Sequence, residues 1–441
     1  MARALKTGTL VVGTVEPAAK GARINVKLLD GYGVLLERKS FEYDTSRALT
    51  MQDSLATEVA AFLRKYLGDE VRLHEQKRAT KSSDAWLMVQ RAERRNKDAD
   101  SLLEAGAAPQ ALVALAESDS LLVRAEAADR NWSTPPALRA AVAYSRASAL
   151  RKDPAQMAAV LDSVIAYGDH AIALDPRNAD ALEYKGKLLY FFRIGEHLIV
   201  NQREADRTLT LAESTLTRAV TVNRNQAGAW EALSSLYYRK PDLALVIDAA
   251  EKAYKADEYM RSTRSILQRL FQARYNLEQF PEAMRTLDDY RRRFPNDKFY
   301  LDGRLLMYGT RYAKPDIDSA WTFAAQYVHQ SPGQDSAFTR RRLDMYVAGA
   351  IARAGLADSA RRVLVRARAK PGSNIDPKHD LSAIEAIMRV MLGDQDETVR
   401  LLKDYLTVNP EHRKGFATRT MWWWRDLQSN PRFKSLIAAE Q

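Results

Sequence analysis

The sequence predicts a mainly α-helical fold, a right-handed solenoid of about eight helix pairs preceded by a small α/β module. From Thr7 to about Tyr43, apolar and polar residues alternate with the period of half-buried strands. From Asp84 onward, apolar residues recur with the 3.6-residue period of helices. Four prolines that follow helix ends are 37, 39 and 39 residues apart, which indicates a tandem unit of two helices. They are Pro295, Pro332, Pro371 and Pro410.

Composition narrows the class of protein. A chain of 441 residues with 46% hydrophobic content is too long for one compact globule, so several domains or a repeat array are expected. The net charge of +11 comes from 67 basic and 56 acidic residues. Both signs are interspersed, which permits an acidic partner without specifying nucleic acid. The absence of cysteine excludes a disulfide framework, thiolate metal sites and a cysteine nucleophile.

No apolar run of about 18 residues and no signal peptide stand out in the sequence. We therefore expect a soluble protein without a transmembrane segment. The compartment is undecided, with cytoplasm favoured over periplasm.

The first predicted domain, residues 1–72, begins with three strand-like segments, GTLVVGTV, ARINVKLLD and GVLLERKSFEY. Turn residues from Asp30 to Gly33 predict a hairpin between the last two. An amphipathic helix is expected from Met51, with Gly68 as its C-cap, and residues 73–83 form a linker.

The predicted array covers residues 84–412, followed by a capping segment at 413–441. The unit from Leu182 to Asn225 is longer than the others, and its insertion FFRIGEHLIVNQREADRT extends a helix pair or forms a loop. The units are expected to start near Asp84, Pro135, Ala179, Ala227, Arg261, Lys298, Ser336 and Pro377.

Several units carry a shared pattern of large and small residues. The residues that carry it are Trp230, Leu233, Ser234, Tyr237, Leu267, Leu270, Ala283, Pro295, Ala348, Gly355 and Ala360. The pattern resembles the tetratricopeptide repeat (TPR), in which small residues let two helices approach and large ones fill the gap to the next pair. The chain departs from it at Phe271, where a small residue is usual, at Glu278, where Gly is usual, and at Thr398, where Ala is usual.

The TPR resemblance implies a groove lined by the first helix of each pair, which binds a protein or peptide. Family members that capture acidic peptide C-termini carry a clamp of Lys and Asn, which this sequence lacks. A solvated surface without a ligand is the alternative interpretation. Threading the pattern onto the sequence places these residues in the groove: Glu183, Lys187, Tyr190, Glu231, Ser235, Tyr238, Gln268, Gln272, Tyr275, Arg342 and Met345.

The first domain has a resemblance of its own. The phrases ARALKTGTLVVGTV, INVKLLD and MQDSLATEVAAFLRKYLG look like the second half of a TolB amino-terminal or FlgO-like module. In bacteria that module precedes TPR arrays in signalling proteins, including membrane-anchored serine/threonine kinases and adenylate cyclases. The first half of the module is absent here, so we expect a fragment, a late-start product or a trimmed homologue. No kinase motif can be read in the sequence.

No motif predicts catalysis, a metal or a cofactor. The six histidines are scattered, and neither an HExxH pattern, a phosphate-binding glycine loop nor a Gly-x-Ser-x-Gly elbow occurs. In the segment DPKHD, we expect Asp380 to cap the following helix. The sequence therefore predicts a protein that is not an enzyme.

Two arginine-rich segments, residues 340–342 and 360–368, predict either a solvated face or a basic surface for an acidic partner. Nucleic acid is a weaker alternative because it requires a contiguous basic stripe with stacking aromatics.

The segment MWWWRDLQSNPRF, Met421 to Phe433, is interpreted as a terminal cap, with at least one tryptophan buried against the last helix pair. A membrane-interface belt is the alternative. Phe433, Leu436 and Ile437 are expected to fold back from one short helix.

The leading functional hypothesis is a non-enzymatic scaffold that binds a protein or peptide through the groove. The alternative is the regulatory region of a larger bacterial kinase or cyclase whose catalytic domain lies outside this sequence. Nucleic-acid binding is the third hypothesis.

Overall fold

The computed structural model describes residues 9–18, 21–30, 35–44, 59, 79–195, 201–240, 242–257, 263–330, 336–370, 373–417 and 422–438. The chain forms two compact units. The first runs up to Ala181 and includes the short segment that begins at Asp257. The second begins at Leu182 and contains the rest. The division falls inside the predicted array 84–412, whose boundaries stay a prediction.

Three antiparallel strands form a sheet in the first unit, in the order β1 (Thr9–Ala18), β2 (Gly21–Asp30) and β3 (Leu35–Asp44). The alternating residues Ile24, Val26 and Leu28 are buried on one face with Phe41, which lies opposite Ile24 on β3. Val59 packs against them. The predicted pairing of the last two strands is confirmed, whereas the predicted helix from Met51 lies outside the described residues apart from Val59.

Four helices follow in the first unit: α1 (Ser83–Glu104), α2 (Ala108–Ala128), α3 (Thr134–Ala149) and α4 (Pro154–Leu174). α1 packs on α2 and α3 packs on α4. Small residues such as Ala92 and Ala111 are fully buried, so the helices approach closely. Arg139 of α3 joins the helices by donating hydrogen bonds to Asp119 and Glu126 of α2 and to Tyr167 of α4, at 2.7–2.8 Å.

Helix α4 is long and apolar enough to cross a bilayer when judged by length and composition alone. The core helix of a soluble protein passes the same test. Within the part of the chain that the structure describes, it is the one helix that meets this criterion. Its residues Met157, Leu161, Val164 and Ala171 are buried in the unit.

The remaining helices begin at α5 (Ala179–Lys187), which continues as a π-helix over Leu188–Ile194. They are α6 (Gln202–Val222), α7 (Ala227–Arg239), α8 (Leu243–Ala256), α9 (Thr263–Asn276), α10 (Phe280–Arg293), α11 (Phe299–Tyr308), α12 (Ile317–His329), α13 (Ser336–Arg353), α14 (Ala357–Ala367), α15 (Asp380–Met391), α16 (Gln395–Val408), α17 (Arg413–Ala417) and α18 (Pro431–Ala438). Short 3₁₀ helices cover Pro410–His412 and Trp422–Leu427.

The predicted fold class is confirmed. Most helices pack against the next helix in the chain, and α7, α11 and α13 also contact α9, α13 and α15, respectively. First helices therefore lie side by side, which is the packing of an α-solenoid. The first helices α5, α7 and α13 begin at the predicted Ala179, Ala227 and Ser336. The predicted insertion begins at Phe191 within the π-helix Leu188–Ile194, and its residues 196–200 lie outside the described residues.

Glycine ends the first helix in three pairs because the chain turns there with a positive φ. Gly106, Gly355 and Gly393 have φ of 76°, 82° and 75°. In the α9–α10 pair the same turn is made by Glu278, with φ of 60°. A side chain in this left-handed conformation is unfavourable by roughly 1 kcal/mol or more.

Two departures from the repeat pattern are absorbed by packing. Phe271 is buried, and a Cβ added at Gly303 on α11 would lie 3.2 Å from its Cζ, so the missing side chain of Gly303 makes room for the ring. Thr398 is fully buried, and its hydroxyl donates to the carbonyl oxygen of Asp394 at 2.9 Å. The helix itself therefore satisfies this buried polar group.

Candidate protein-binding surface

Predicted groove residues on the π-helix and α7 are hydrogen-bonded to neighbouring first helices. The hydroxyl of Tyr190 donates to the carbonyl oxygen of Ser235 at 2.7 Å. Ser265 on α9 donates to Glu231 on α7 at 2.6 Å. These bonds link neighbouring first helices. Burial raises the pKa of Tyr190 above its ordinary value, so its hydroxyl stays a donor at neutral pH.

Arg269 on α9 was not among the predicted residues, but it contacts two of them, Tyr238 and Gln272. Its guanidinium is 4.6 Å from the ring centroid of Tyr238 and donates to Gln272 Oε1 at 3.2 Å. Asn276 donates from Nδ2 to the Tyr238 hydroxyl at 3.2 Å. Tyr238 and Gln272 remain partly exposed. The guanidinium of Arg269 can donate two parallel hydrogen bonds to a peptide, and the ring of Tyr238 offers an aromatic face.

Two other predicted residues, Glu183 and Gln268, contact side chains within the chain. Glu183 is buried, its carboxylate lies 3.5 Å from Lys187 Nζ, and a Cβ at Gly228 would lie 2.0 Å from its Oε1. The missing side chain of Gly228 on α7 therefore leaves room for the Glu183 carboxylate. Gln268 is partly buried and donates to the hydroxyl of Tyr290 at 2.9 Å.

Arg342 and Met345 on α13 are held inside the fold. Arg342 donates to Asp302 Oδ1 on α11 at 2.7 Å, and its guanidinium is 5.3 Å from the ring centroids of Tyr327 and Tyr346. Asp302 and the tyrosines raise the pKa of Arg342 although desolvation opposes them, so it stays charged. Met345 is fully buried and packs in the core. These two predicted residues stabilise the helix array instead of facing a ligand.

Most arginines of the predicted basic surface have partners within the chain. Arg341 donates to the carbonyl oxygen of Arg368 at 2.6 Å, and Arg361 donates to Asp394 at 2.8 Å. Arg368 and Arg389 both donate to Glu385, which is 1% exposed. Sequence reasoning missed this network because the carboxylates that neutralise the arginines lie on the following helix pair.

The predicted cap at Asp380 is corrected. The carboxylate of Asp376 accepts from the backbone N–H groups of Asp380 and Leu381 at 2.8 and 2.9 Å, so Asp376 caps α15. Asp380 is the first residue of that helix, and His379 before it has a positive φ of 54°. The left-handed turn at His379 brings the carboxylate of Asp376 over the N-terminus of α15.

The three tryptophans do not share one environment. Trp424 is buried with Leu427 and Phe433 against α15 and α16. Trp422 and Trp423 instead pack on Tyr275 of α9, with ring centroids 6.0 and 5.8 Å away. Tyr275 is therefore a predicted groove residue that is already covered, and burial raises its pKa well above its ordinary value.

Comparisons with known proteins give the following. No family model matches the sequence, and no curated protein matches it. Among solved structures, a thermophilic TPR protein of Thermus thermophilus is 15% identical over 49% of this chain and 96% of its own, with a TM-score of 0.34. PilF of Pseudomonas aeruginosa is 17% identical over 56% of this chain and 96% of its own, with a TM-score of 0.37. Yeast Tom70 is 12% identical over 82% of this chain and 69% of its own, with a TM-score of 0.36. At these TM-scores, the assignment of the fold rests on the helix packing above.

Proposed function

We propose that the chain is a non-enzymatic TPR-type scaffold that binds a protein or peptide on the surface of its first helices. The observation that carries the proposal is that a segment of polypeptide, Trp422–Trp423, already lies on this surface at Tyr275. The repeat pattern of large and small residues and the side-by-side first helices support the TPR assignment.

The surface suits a peptide because its partly exposed side chains combine hydrogen-bonding groups with aromatic faces. Tyr238, Arg269 and Gln272 lie together within two adjacent repeats. Such groups recognise backbone amides and side chains of a bound segment. The paired arginines of α14 offer less support for an acidic partner, which stays a secondary proposal.

The test is affinity capture with the full chain and two variants. The groove variant carries Glu231→Ala, Tyr238→Ala and Gln272→Ala, three positions that are partly exposed. Arg342 is left intact because its replacement would break the ion pair with Asp302. The control variant carries Arg285→Ala and Arg292→Ala on α10, where both side chains are largely exposed.

The proposal predicts one dominant protein partner, retained by the native chain and the control variant and reduced about tenfold in the groove variant. Equal retention by all three would contradict it. Retention of nucleic acid alone, with steep salt dependence, would favour nucleic-acid binding.

The alternative proposal is that the chain is the regulatory region of a larger bacterial kinase or cyclase. The three-stranded sheet before the helix pairs supports it, since the sequence resembles the second half of a module found in such proteins. An in-frame catalytic domain upstream in the gene would establish this alternative.

A further inference from the structure

An aromatic pocket at the α9–α10 turn holds part of the C-terminal segment. The pocket is formed by Tyr275 and Phe280, which contact the rings of Trp422 and Trp423 in one hydrophobic cluster. The centroid of Trp422 lies 5.7 Å from that of Phe280 in an edge-to-face arrangement. Edge-to-face aromatic pairs are favourable by roughly 0.5–1.5 kcal/mol beyond the area they bury.

A charged contact lies beside the pocket. Arg425 forms an ion pair with Glu278, 147 positions earlier in the chain. Glu278 makes the turn that glycine makes in three other helix pairs, at a cost in backbone strain. Backbone strain of this kind is a reason to ask what the side chain contacts. Here the carboxylate is directed to the cation that follows the tryptophans.

The tryptophans of this segment are held unequally. Trp424 is 5% exposed and forms part of the terminal core, whereas Trp422 and Trp423 are half-buried. The indole N–H of Trp422 is buried without a hydrogen-bond partner in the part of the chain that the structure describes. An unmet donor weakens an interaction by roughly 1–3 kcal/mol. The cis contact of Trp422 with the pocket therefore lacks one hydrogen bond.

We propose that the pocket of Tyr275 and Phe280, with Glu278 at its edge, binds a partner peptide that carries adjacent tryptophans followed closely by a basic residue. Residues Trp422–Arg425 occupy this site in cis and compete with that peptide. The inference rests on the proposed function and names the chemistry of the ligand. A partner peptide that also supplies an acceptor for its indole N–H makes the hydrogen bond that Trp422 lacks in the cis contact.

The test uses a fluorescent peptide with the sequence of Trp422–Leu427, titrated against the full chain and followed by anisotropy. The native chain binds it weakly because the site is occupied in cis. Trp422→Ala with Trp423→Ala empties the site and binds the peptide about tenfold tighter, as expected when a competitor that fills about nine-tenths of the sites is removed. Adding Glu278→Lys reverses that gain. Trp230→Ala, which changes a tryptophan on α7, serves as the control and leaves peptide affinity unchanged.

A second variant leaves the aromatic residues intact. Arg425→Glu repels Glu278, and both side chains are more than a third exposed, so folding is not at stake. It binds the peptide several-fold tighter than the native chain does. Combining it with Glu278→Arg restores the cis contact and removes binding of the arginine-bearing peptide.

Unchanged peptide affinity in the folded Trp and Arg425 variants would overturn the proposal and make the segment a fixed cap. Self-association of the variants in place of peptide binding would also overturn it, because a second copy would then be the occupant. A captured partner that depends on Tyr238 and Gln272 would leave the proposed function standing in either case.

Discussion

Arg342 of α13 and Asp302 of α11 form an ion pair between consecutive repeats, with Nη1 and Oδ1 2.7 Å apart. Both side chains are largely buried, and Tyr327 and Tyr346 flank the guanidinium. The sequence predicted Arg342 as a ligand-binding residue, but the contact is one between helices of the array.

Replacing Arg342 should therefore affect stability. Arg342→Ala leaves the Asp302 carboxylate buried without its cation, and we expect a loss of about 2–3 kcal/mol in the free energy of unfolding in urea at pH 7. Burial already raises the pKa of Asp302, with Arg342 opposing. In the variant, the pKa of Asp302 should rise further. The loss in the free energy of unfolding should therefore shrink as the pH falls and Asp302 takes up a proton. Adding Asp302→Asn should recover part of the lost stability. A loss that changes neither with pH nor with Asp302→Asn would contradict this interpretation.

Gly303 should tolerate no side chain. A Cβ there would lie 2.7 Å from Leu287 Cδ1. Leu287 is fully buried and cannot move aside, so Gly303→Ala should destabilise the chain by about 1–3 kcal/mol. Leu287→Ala should couple with it in a double-mutant cycle. Gly415→Ala is the matched control, since nothing in the described part of the chain lies within 4 Å of its Cβ position, and it should be neutral or stabilising.

The helix-pair turns should respond to substitution with opposite signs. Gly355→Ala and Gly393→Ala each force a side chain into positive φ and should cost about 1 kcal/mol. Glu278→Gly removes that strain and loses only a half-exposed ion pair, worth about 0–1 kcal/mol. It should therefore be neutral or stabilising in urea unfolding. A loss like that of the other two would show that Glu278 contributes more than the ion pair accounts for.

The terminal helix pair should lose stability in acid. Hydrogen bonds from Arg400, joined by those from Arg368, lower the pKa of Glu397 to about 2. A carboxylate with a lowered pKa stabilises the fold above its unfolded pKa of about 4.5, and this contribution is lost as the pH falls toward 2. Glu397→Gln should remove about 1–2 kcal/mol at pH 6 and much less at pH 2, measured by urea unfolding. An equal loss of stability at pH 6 and pH 2 would contradict the lowered pKa of Glu397.

Local patterns predicted much of the fold. The starts of α5, α7 and α13 follow from polar turns and helical periodicity, which are properties of neighbouring residues. Of the predicted groove residues, Tyr190 donates to the backbone carbonyl oxygen of Ser235, whose side chain is buried. The sequence could not show how deeply each residue lies, so Met345 entered the predicted groove although it belongs to the core.

Long-range partners were beyond prediction for a physical reason. The contact of Arg425 with Glu278 depends on how successive helix pairs are arranged, and no local pattern encodes it. The departure at Glu278 was visible in the sequence, but its partner was not. The same holds for Phe271, which is accommodated by Gly303 on the next helix pair.

The position of the C-terminal segment on the first-helix surface can be measured directly, because the chain has no cysteine. Glu278→Cys with Arg425→Cys introduces two thiols that a short bismaleimide can join. The control pair is Glu278→Cys with Arg432→Cys, since Arg432 contacts Asp396 instead. We predict rapid crosslinking within one chain for the first pair and little for the control, read by mass spectrometry. Equal rates for both pairs, or crosslinks only between chains, would contradict the placement of Trp422–Arg425 on this surface.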